Sequence, residues 1–286
     1  GLQGRAMRQI ILLTAVMALA GCGKKTTPTE PEANGEPNAA ADKQGSLKPE
    51  PKVPAKIPAN AFVNSLGMLF VPVSGTDVQF CIWETRVKDY AEYAAANVGV
   101  NEDWKTPALR KANTHPVGGV SWEDSVAFCK WLTSKEVVQG TIKAGQKYRL
   151  PTDAEWSVAV GLGKEKGATP AEKSMDTLGG YPWGKEWPPF EGVGNYARIM
   201  NLDKFQSSAP VGSFDANKFG IHDMGGNVWE WCEDKYSGSI GISRVLRGAS
   251  WNSGSQYELF SSYRLDLFPD LRYGGRFGFR CVLTNE

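Results

Sequence analysis

Apart from residues 228–231, residues 162–242 show little periodic hydrophobic pattern, and this long aperiodic segment most limits what the chain can fold into. Glycine, proline and asparagine dominate it, so neither a long helix nor a regular strand is predicted over most of its length. A loop region of this size within a folded domain needs internal connections, such as bound metal ions or clusters of tryptophan side chains. With 32 glycines and 10 tryptophans, the chain has the composition of such an irregular fold.

Regular elements are predicted outside this segment, and the helices begin at polar capping residues. The predicted strands are residues 68–73, 78–83, 243–246 and 277–283, and the predicted helices begin near Thr85, Ser121 and Thr152. Short strands, few helices and long loops together predict an α+β domain over residues 61–286.

The N-terminal segment is typical of an exported protein. Two arginines precede an apolar run over residues 10–20, which is too short to span a bilayer and has the length of a signal-peptide core. The run ends in Leu19-Ala20-Gly21-Cys22, which resembles the lipobox of bacterial lipoproteins, where the cysteine is acylated after cleavage. We therefore predict a signal peptide within residues 1–21 and a lipid on Cys22. The alternative is an ordinary signal peptide with an incidental cysteine.

Residues 22–60 are predicted to be a tether. They are rich in proline, alanine, lysine and glutamate and cannot bury enough apolar surface to fold. The protein is therefore expected to be anchored by lipid in the bacterial cell envelope, at the outer membrane or cell surface. The formal net charge of +1 argues against a nucleic-acid partner, because no basic excess is present to neutralise phosphates.

Three motifs in the second half of the chain carry a family resemblance. The segment Gly220–Trp231 places adjacent glycines and two tryptophans among oxygen-bearing side chains. Together with Arg247-Gly248-Ala249-Ser250-Trp251 and Gly278-Phe279-Arg280-Cys281, it resembles the sulfatase-modifying-factor family, whose best-known member is the formylglycine-generating enzyme. The resemblance runs from about Leu66 to the C-terminus. It implies a C-type-lectin-like fold with small antiparallel sheets, two main helices and long irregular loops.

The resemblance implies two structural calcium sites within the long loops. One would use the Asn195 and Asp203 side chains with the carbonyls of Tyr196 and Phe205, and the other the Asp223 and Glu230 side chains with the carbonyls of Gly226 and Val228. Carboxylate, amide and carbonyl oxygens are the ligands that calcium accepts. The alternative is that these are ordinary turn residues. Zinc spacing of Cys and His is absent, and the 2 histidines are too few for an iron site.

The cysteines of an exported domain are candidates for disulfide bonds. Apart from Cys22, the chain has Cys81, Cys129, Cys232 and Cys281, and four cysteines allow three pairings. The resemblance implies a bond between Cys129 and Cys281, because the sequences around them match the bridging positions of the family. Cys81 and Cys232 are either a second pair or buried thiols.

One feature of the family is missing. The formylglycine-generating enzyme holds copper with two cysteine thiolates shortly after its Arg-Gly-Gly-Ser-aromatic motif, and Cu(I) requires such soft ligands. The corresponding residues 252–263 contain no cysteine. We therefore expect no copper and no copper-dependent formylglycine formation. Arg264, which matches an active-site arginine of the family, is predicted to support the fold through hydrogen bonds.

The residues around Pro269 indicate a binding surface. They resemble the variable segments of the lectin-fold proteins of diversity-generating retroelements, and their Tyr, Phe, Arg and Gly suit an adaptable surface. Leu267, Phe268, Tyr273 and Phe277 are expected to be exposed as an apolar patch. The full predicted surface comprises Trp251, Ser253, Tyr257, Leu265, Leu267, Phe268, Tyr273, Arg276 and Phe277. The alternative is that these side chains pack within a divergent loop.

The sequence therefore favours an exported, lipid-anchored protein that binds an unidentified protein or glycan and has no catalytic residues. The alternatives are an enzyme or sulfatase-activating factor of the same family that works without copper, and a purely structural envelope protein.

Overall fold

The computed structural model describes residues 60–105, 112–174, 180–237 and 241–284. The predicted signal peptide, the acylated Cys22 and all but the last residue of the predicted tether lie outside the described residues. None of the helices in the described ranges is both long enough and apolar enough to cross a membrane.

A five-stranded antiparallel sheet joins the two ends of the domain. Its strand order is β1-β2-β3-β9-β4. The strands are β1 (Phe62–Val63), β2 (Leu69–Pro72), β3 (Val78–Cys81), β4 (Tyr148–Arg149) and β9 (Val282–Thr284). The last strand of the chain pairs with β3 on one side and β4 on the other, so N-terminal and C-terminal sequence form one buried layer. Phe70, Phe80 and Val282 are fully buried in it.

A second sheet of four strands has the order β7-β6-β5-β8. The strands are β5 (Trp229–Lys235), β6 (Arg244–Arg247), β7 (Leu265–Leu267) and β8 (Phe277–Gly278). β5 and β8 run parallel, whereas the other neighbours are antiparallel. The prediction of one strand over residues 277–283 is wrong. The chain passes from the second sheet to the first between Gly278 and Val282, because Arg280 turns into the interior and bonds Glu230.

Four helices occur in the described ranges, two of them long. They are α1 (Val87–Ala96), α2 (Trp122–Val138), α3 (Asp153–Val160) and α4 (Pro170–Lys173). The capping boxes predicted at Ser121 and Thr152 are confirmed, since each side chain accepts a hydrogen bond from the backbone N–H three residues later. The N-cap residue of α1 is Arg86, one residue later than the predicted Thr85. The Asp89 carboxylate accepts a hydrogen bond from the backbone N–H of Arg86.

Aromatic rings fill the space between the two long helices and the C-terminal crossing. Phe128 of α2 lies 5.9 Å from the ring of Tyr90 in α1 and 5.4 Å from that of Phe279. All three side chains are fully buried. Each such ring stabilises the fold by about 1.5–3 kcal/mol relative to an exposed one.

The aperiodic segment is largely irregular, as the sequence predicts, and asparagine side chains connect it to the rest of the domain. The Asn227 carbonyl oxygen accepts from Ala209 N at 2.9 Å, and its amide donates to Glu84 at 2.8 Å. Asn217 similarly donates to the Ala159 carbonyl at 2.7 Å. These contacts satisfy backbone and side-chain groups that would otherwise be buried without partners.

Candidate functional site

The predicted binding surface is built from two C-terminal loops, residues 251–260 and 268–276. The indole N–H of Trp251 donates to the Gly275 carbonyl at 3.5 Å, so the two loops adjoin. The Ser253 carbonyl accepts from Ala197 N at 2.9 Å, which joins the first loop to the aperiodic segment. The surface is thus supported by one hydrogen bond between the two loops and one to the aperiodic segment.

Large side chains of the C-terminal loops face the solvent. Tyr257 is 69%, Phe268 53% and Tyr273 68% exposed, so the expected exposure of Phe268 and Tyr273 is confirmed. The Arg276 guanidinium lies 5.0 Å from the centre of the Tyr273 ring. Sequence reasoning missed Ile199, which is 91% exposed beside Gly254. Its place next to the first loop depends on a contact between distant parts of the chain.

Other members of the predicted surface lie inside the protein. Phe277 is only 6% exposed, and its expected exposure is wrong, because β8 pairs with β5 and the ring packs 6.0 Å from that of Trp231. Ser253 is 3% exposed. Leu265 and Leu267 of β7 are half-buried against the core. The surface that remains comprises Trp251, Tyr257, Phe268, Tyr273 and Arg276.

Residues 252–263 form a packed aromatic segment. The Tyr181 ring is stacked between those of Phe260 and Trp183, with centres 4.7 Å apart on each side. The Gln256 amide donates to the Tyr181 hydroxyl at 2.7 Å. The first C-terminal loop is therefore fixed by stacking and hydrogen bonding in the region where the family resemblance leads one to expect metal-binding thiolates.

Arg264 supports the fold, as predicted. Its guanidinium donates to both oxygens of Asp153 at 3.0 Å, to Glu165 at 2.5 and 2.7 Å and to the Ser262 carbonyl at 2.6 Å. Arg247 also donates to Asp153 and is likewise fully buried. The donors of Arg264 are therefore engaged within this buried cluster.

The first predicted calcium set fits a cation. The Asn195 amide donates to the Ser207 carbonyl at 2.8 Å, while its buried carbonyl oxygen has no hydrogen-bond partner within the described part of the chain. Asp203 is tied to the same turn, accepting from Phe205 N at 2.7 Å and Tyr196 N at 3.3 Å. Burial raises the pKa of Asp203. An unpaired amide oxygen and a partly desolvated carboxylate are suitable calcium ligands.

The second predicted set fits poorly. Both carboxylate oxygens of Glu230 already accept hydrogen bonds from Arg280, at 2.6 and 2.8 Å, and one also accepts from the Trp156 indole at 2.9 Å. Asp223 accepts from Gly212 N at 2.6 Å. A calcium ion at Glu230 would compete with a fully buried guanidinium for the same two oxygens. In the described ranges, no group of three Cys, His, Asp or Glu side chains is arranged to hold a metal. The first predicted calcium set has only one such side chain, because two of its four oxygens are backbone carbonyls and a third is an amide oxygen.

We expect calcium to raise the thermal stability of the protein through the first set. At a calcium concentration about one hundred times the Kd, the gain is about 2.7 kcal/mol. Differential scanning calorimetry with calcium and with a chelator measures it, and Asp203→Asn should abolish the gain. Asp270→Asn, an exposed acid, is the matched control. A chelator-insensitive melting temperature would show that Asn195 and Asp203 are ordinary turn residues.

The cysteines predicted to form a disulfide lie side by side. The Sγ atoms of Cys129 and Cys281 are 3.7 Å apart, and both residues are present as buried thiols. A covalent bond requires about 2.05 Å, so the structure brings the partners together and the bond stays a prediction. Cys81 and Cys232 are also buried thiols, and burial raises the pKa of Cys81 to about 12, which leaves it unreactive.

We expect the protein isolated from an oxidising compartment to contain a Cys129–Cys281 bond. Thiol titration in denaturant should then find only Cys81 and Cys232. Reduction should lower the free energy of unfolding by about 3–4 kcal/mol, because the bond closes a long loop. A Cys232→Ser variant should show the same loss on reduction. Titration of both Cys129 and Cys281 without reductant would contradict the prediction.

Two small sheets, two long helices and loops fixed by buried arginine clusters define a fold of the formylglycine-generating-enzyme type. Residues 36–285 match the Sulfatase-modifying factor enzyme 1-like domain. The chain belongs to this family.

Two relatives, one of which is named inactive, are similar in sequence to this chain. The chain is 31% identical over 193 residues to inactive C-alpha-formylglycine-generating enzyme 2 of Bos taurus, covering 63% of this chain and 55% of the relative. It is 32% identical over 213 residues to the formylglycine-generating enzyme of Thermomonospora curvata, covering 63% of this chain and 60% of the enzyme. The chain thus spans less than two thirds of the length of these relatives.

A solved structure has the same fold. Treponema denticola variable protein 1 aligns with a TM-score of 0.52 at 18% identity, over 78% of this chain and 94% of its own. At this identity the likeness establishes the architecture alone.

Proposed function

We propose that this chain is an exported, lipid-anchored binding protein that uses its C-terminal loops to bind a protein or glycan. The content of residues 252–263 carries the proposal. These residues contain no thiol, and Gln256 and Phe260 instead pack on Tyr181. Since Cu(I) needs soft ligands, the copper chemistry of the enzyme lacks its ligands here.

The exposed side chains of the C-terminal loops support a binding role. Tyr257, Phe268 and Tyr273 are each more than half exposed. Aromatic side chains of this kind supply large contact area at low cost in conformational entropy, and Arg276 adds charge and hydrogen-bond donors beside Tyr273. Apolar groups that remain exposed on a folded domain mark interaction sites.

The relatives are compatible with this role. The bovine relative is named inactive, and the Treponema protein, named variable, shares the fold. Export and acylation rest on the apolar run and on Cys22 in the N-terminal sequence. The lipid would hold the domain at the cell envelope, where the C-terminal loops meet external ligands.

The second candidate function is a sulfatase-modifying-type enzyme or activating factor that works without copper. The 32% identity to the Thermomonospora curvata enzyme favours it. Such an enzyme would need a reactive group other than a thiol at the C-terminal loops.

Two measurements on the full mature chain separate these functions. The first is binding to a glycan array and to a displayed library of extracellular proteins, with Tyr257→Ser/Tyr273→Ser compared with Val98→Ser, an exposed residue outside the loops. The proposal expects binding that only the tyrosine variant loses. The second is a Cu(I) titration with oxygen consumption on a cysteine-containing peptide. Stoichiometric copper binding with turnover would overturn the proposal in favour of an enzyme.

A further inference from the structure

A cleft that the sequence analysis did not identify lies between residues 182–193 and 202–225. It consists of two adjoining cavities, of about 680 and 230 Å³, which share Gly192, Phe214 and Asp215. None of its described lining residues belongs to the C-terminal loops. We call it the aromatic cleft, because Trp183, Phe190, Phe205 and Phe214 line it.

The aromatic walls of the cleft are open to a ligand. Phe190 is 56% exposed, which is a large exposure for an aromatic residue lining a cavity. Phe214 lies edge-on to Phe205, with ring centres 6.3 Å apart, so the two rings form one wall of the larger cavity. Preformed, partly apolar cavities of this size are typical of small-ligand sites.

The polar groups of the aromatic cleft are mostly acidic. Glu191 and Asp215 are exposed at its rim, and Asp223 lies at the smaller cavity. Asp203, of the first predicted calcium set, lines the larger cavity. Lys204 is the one basic residue among the described lining residues, and its Nζ lies 5.8 Å from the centre of the Phe205 ring. The ammonium group of Lys204 therefore lies against the Phe205 ring, as expected for cation–π attraction. An anionic ligand would meet like charges here.

The smaller cavity has a buried carboxylate at its wall. Asp223 lines this cavity and is 7% exposed. It accepts a hydrogen bond from Gly212 N at 2.6 Å. Glu230, its partner in the second predicted calcium set, is bonded to Arg280. A carboxylate is a strong acceptor for the protons of an ammonium group.

From this arrangement we infer that the aromatic cleft binds a ligand with a primary ammonium group on an aliphatic chain, such as a lysine side chain. The ammonium enters the smaller cavity, where the Asp223 carboxylate accepts its protons. Trp183, Phe190 and Phe214 contact the methylene groups, and the larger cavity holds the rest of the ligand. This site is independent of the C-terminal loops.

Titration calorimetry on the full chain, in saturating calcium, tests the inference. The probes are spermidine and a blocked tripeptide with a central lysine, and the control is the same peptide with norleucine, which has no charge. We expect the lysine peptide to bind and the norleucine peptide to bind at least about tenfold more weakly. If the lysine peptide binds and spermidine does not, the ligand is a protein side chain. If spermidine binds, the ligand is a free amine.

Variants of exposed lining residues keep the test independent of folding. Phe190→Ser and Asp215→Asn should each weaken lysine-peptide binding by about tenfold or more. Tyr257→Ser/Tyr273→Ser should leave it unchanged, so failure of this inference and failure of the proposed function are distinguishable. Equal binding of the lysine and norleucine peptides, or unchanged binding by both cleft variants, would overturn the inference.

Discussion

Asp153→Asn is expected to lower the free energy of unfolding by about 3–5 kcal/mol, or to prevent folding altogether. Asp153 is 1% exposed and accepts hydrogen bonds from Arg247 and from the Nε and Nη2 atoms of Arg264. Both guanidinium groups are fully buried. An amide in place of the carboxylate would leave two buried cations with Glu165 as their remaining carboxylate partner in this cluster.

The pH dependence of this effect follows from the same contacts. Burial alone would raise the pKa of Asp153, but the Arg247 and Arg264 guanidinium groups outweigh it and hold the pKa below its ordinary value of 3.8. The stabilisation is therefore complete above that value and is lost as the pH falls through the lower pKa of the folded state. Wild-type protein should lose this contribution in acid, and Asp153→Asn should lack it at every pH.

Denaturant unfolding between about pH 2 and pH 7 measures both effects. Lys105→Met is the control, because it breaks an ion pair whose side chains are 48% and 74% exposed. Its unfolding midpoint should equal that of the wild type, since exposed pairs contribute little. An Asp153→Asn midpoint as high as that of Lys105→Met would show that the buried arginines find other partners.

Local sequence patterns predicted those parts of the fold that depend on residues close together in the sequence. A capping box needs only a residue and its neighbour three positions later, so the starts of α2 and α3 at Ser121 and Thr152 could be predicted. The parallel pairing of β5 with β8 joins residues far apart, and no local pattern specifies it. The burial of Phe277 follows from that pairing, which is why its exposure was predicted wrongly.

The candidate sites also combine features that the sequence could predict with features that depend on tertiary contacts. The family resemblance led to Asn195 and Asp203, and the structure adds the unpaired amide oxygen that makes a cation there reasonable. The family resemblance could not reveal that Glu230 is already bonded to Arg280, because that contact spans 50 positions in the sequence. The aromatic cleft is likewise formed by loops whose approach depends on tertiary packing.

Arg280→Met is expected to cost about 3–5 kcal/mol of unfolding free energy at neutral pH. Arg280 is fully buried and bonds Glu230 as well as the carbonyls of Cys81, at 3.1 Å, and His222, at 3.0 Å. Burial, then the neighbouring Asp223 and Glu230 carboxylates, raise the pKa of Glu84 well above its ordinary value of 4.5, and Arg280 partly offsets this. Without the guanidinium, three buried carboxylates lack their cation.

In the wild type, the contribution of Glu84 should change with pH in the direction opposite to that of Asp153, although both variants should show the larger deficit at the higher pH. A carboxyl whose folded-state pKa is raised stabilises the protein at low pH, and this contribution is lost as the pH rises from the unfolded pKa towards the folded one. Removing Arg280 raises the folded pKa of Glu84 further, so the deficit of Arg280→Met should be smaller near pH 5 than near pH 8. Denaturant unfolding at both pH values measures the difference.

The double variant Glu230→Gln/Arg280→Met supplies the matched control. Breaking one half of a buried pair leaves an uncompensated charge, whereas removing both halves does not, so the double variant should be more stable than Arg280→Met alone. The non-additivity in a double-mutant cycle, about 0.5–3 kcal/mol for directly contacting groups, measures the coupling. Additive losses would mean that Arg280 acts mainly through the carbonyls of Cys81 and His222, and that Glu230 is free to bind the calcium ion that the family resemblance implies.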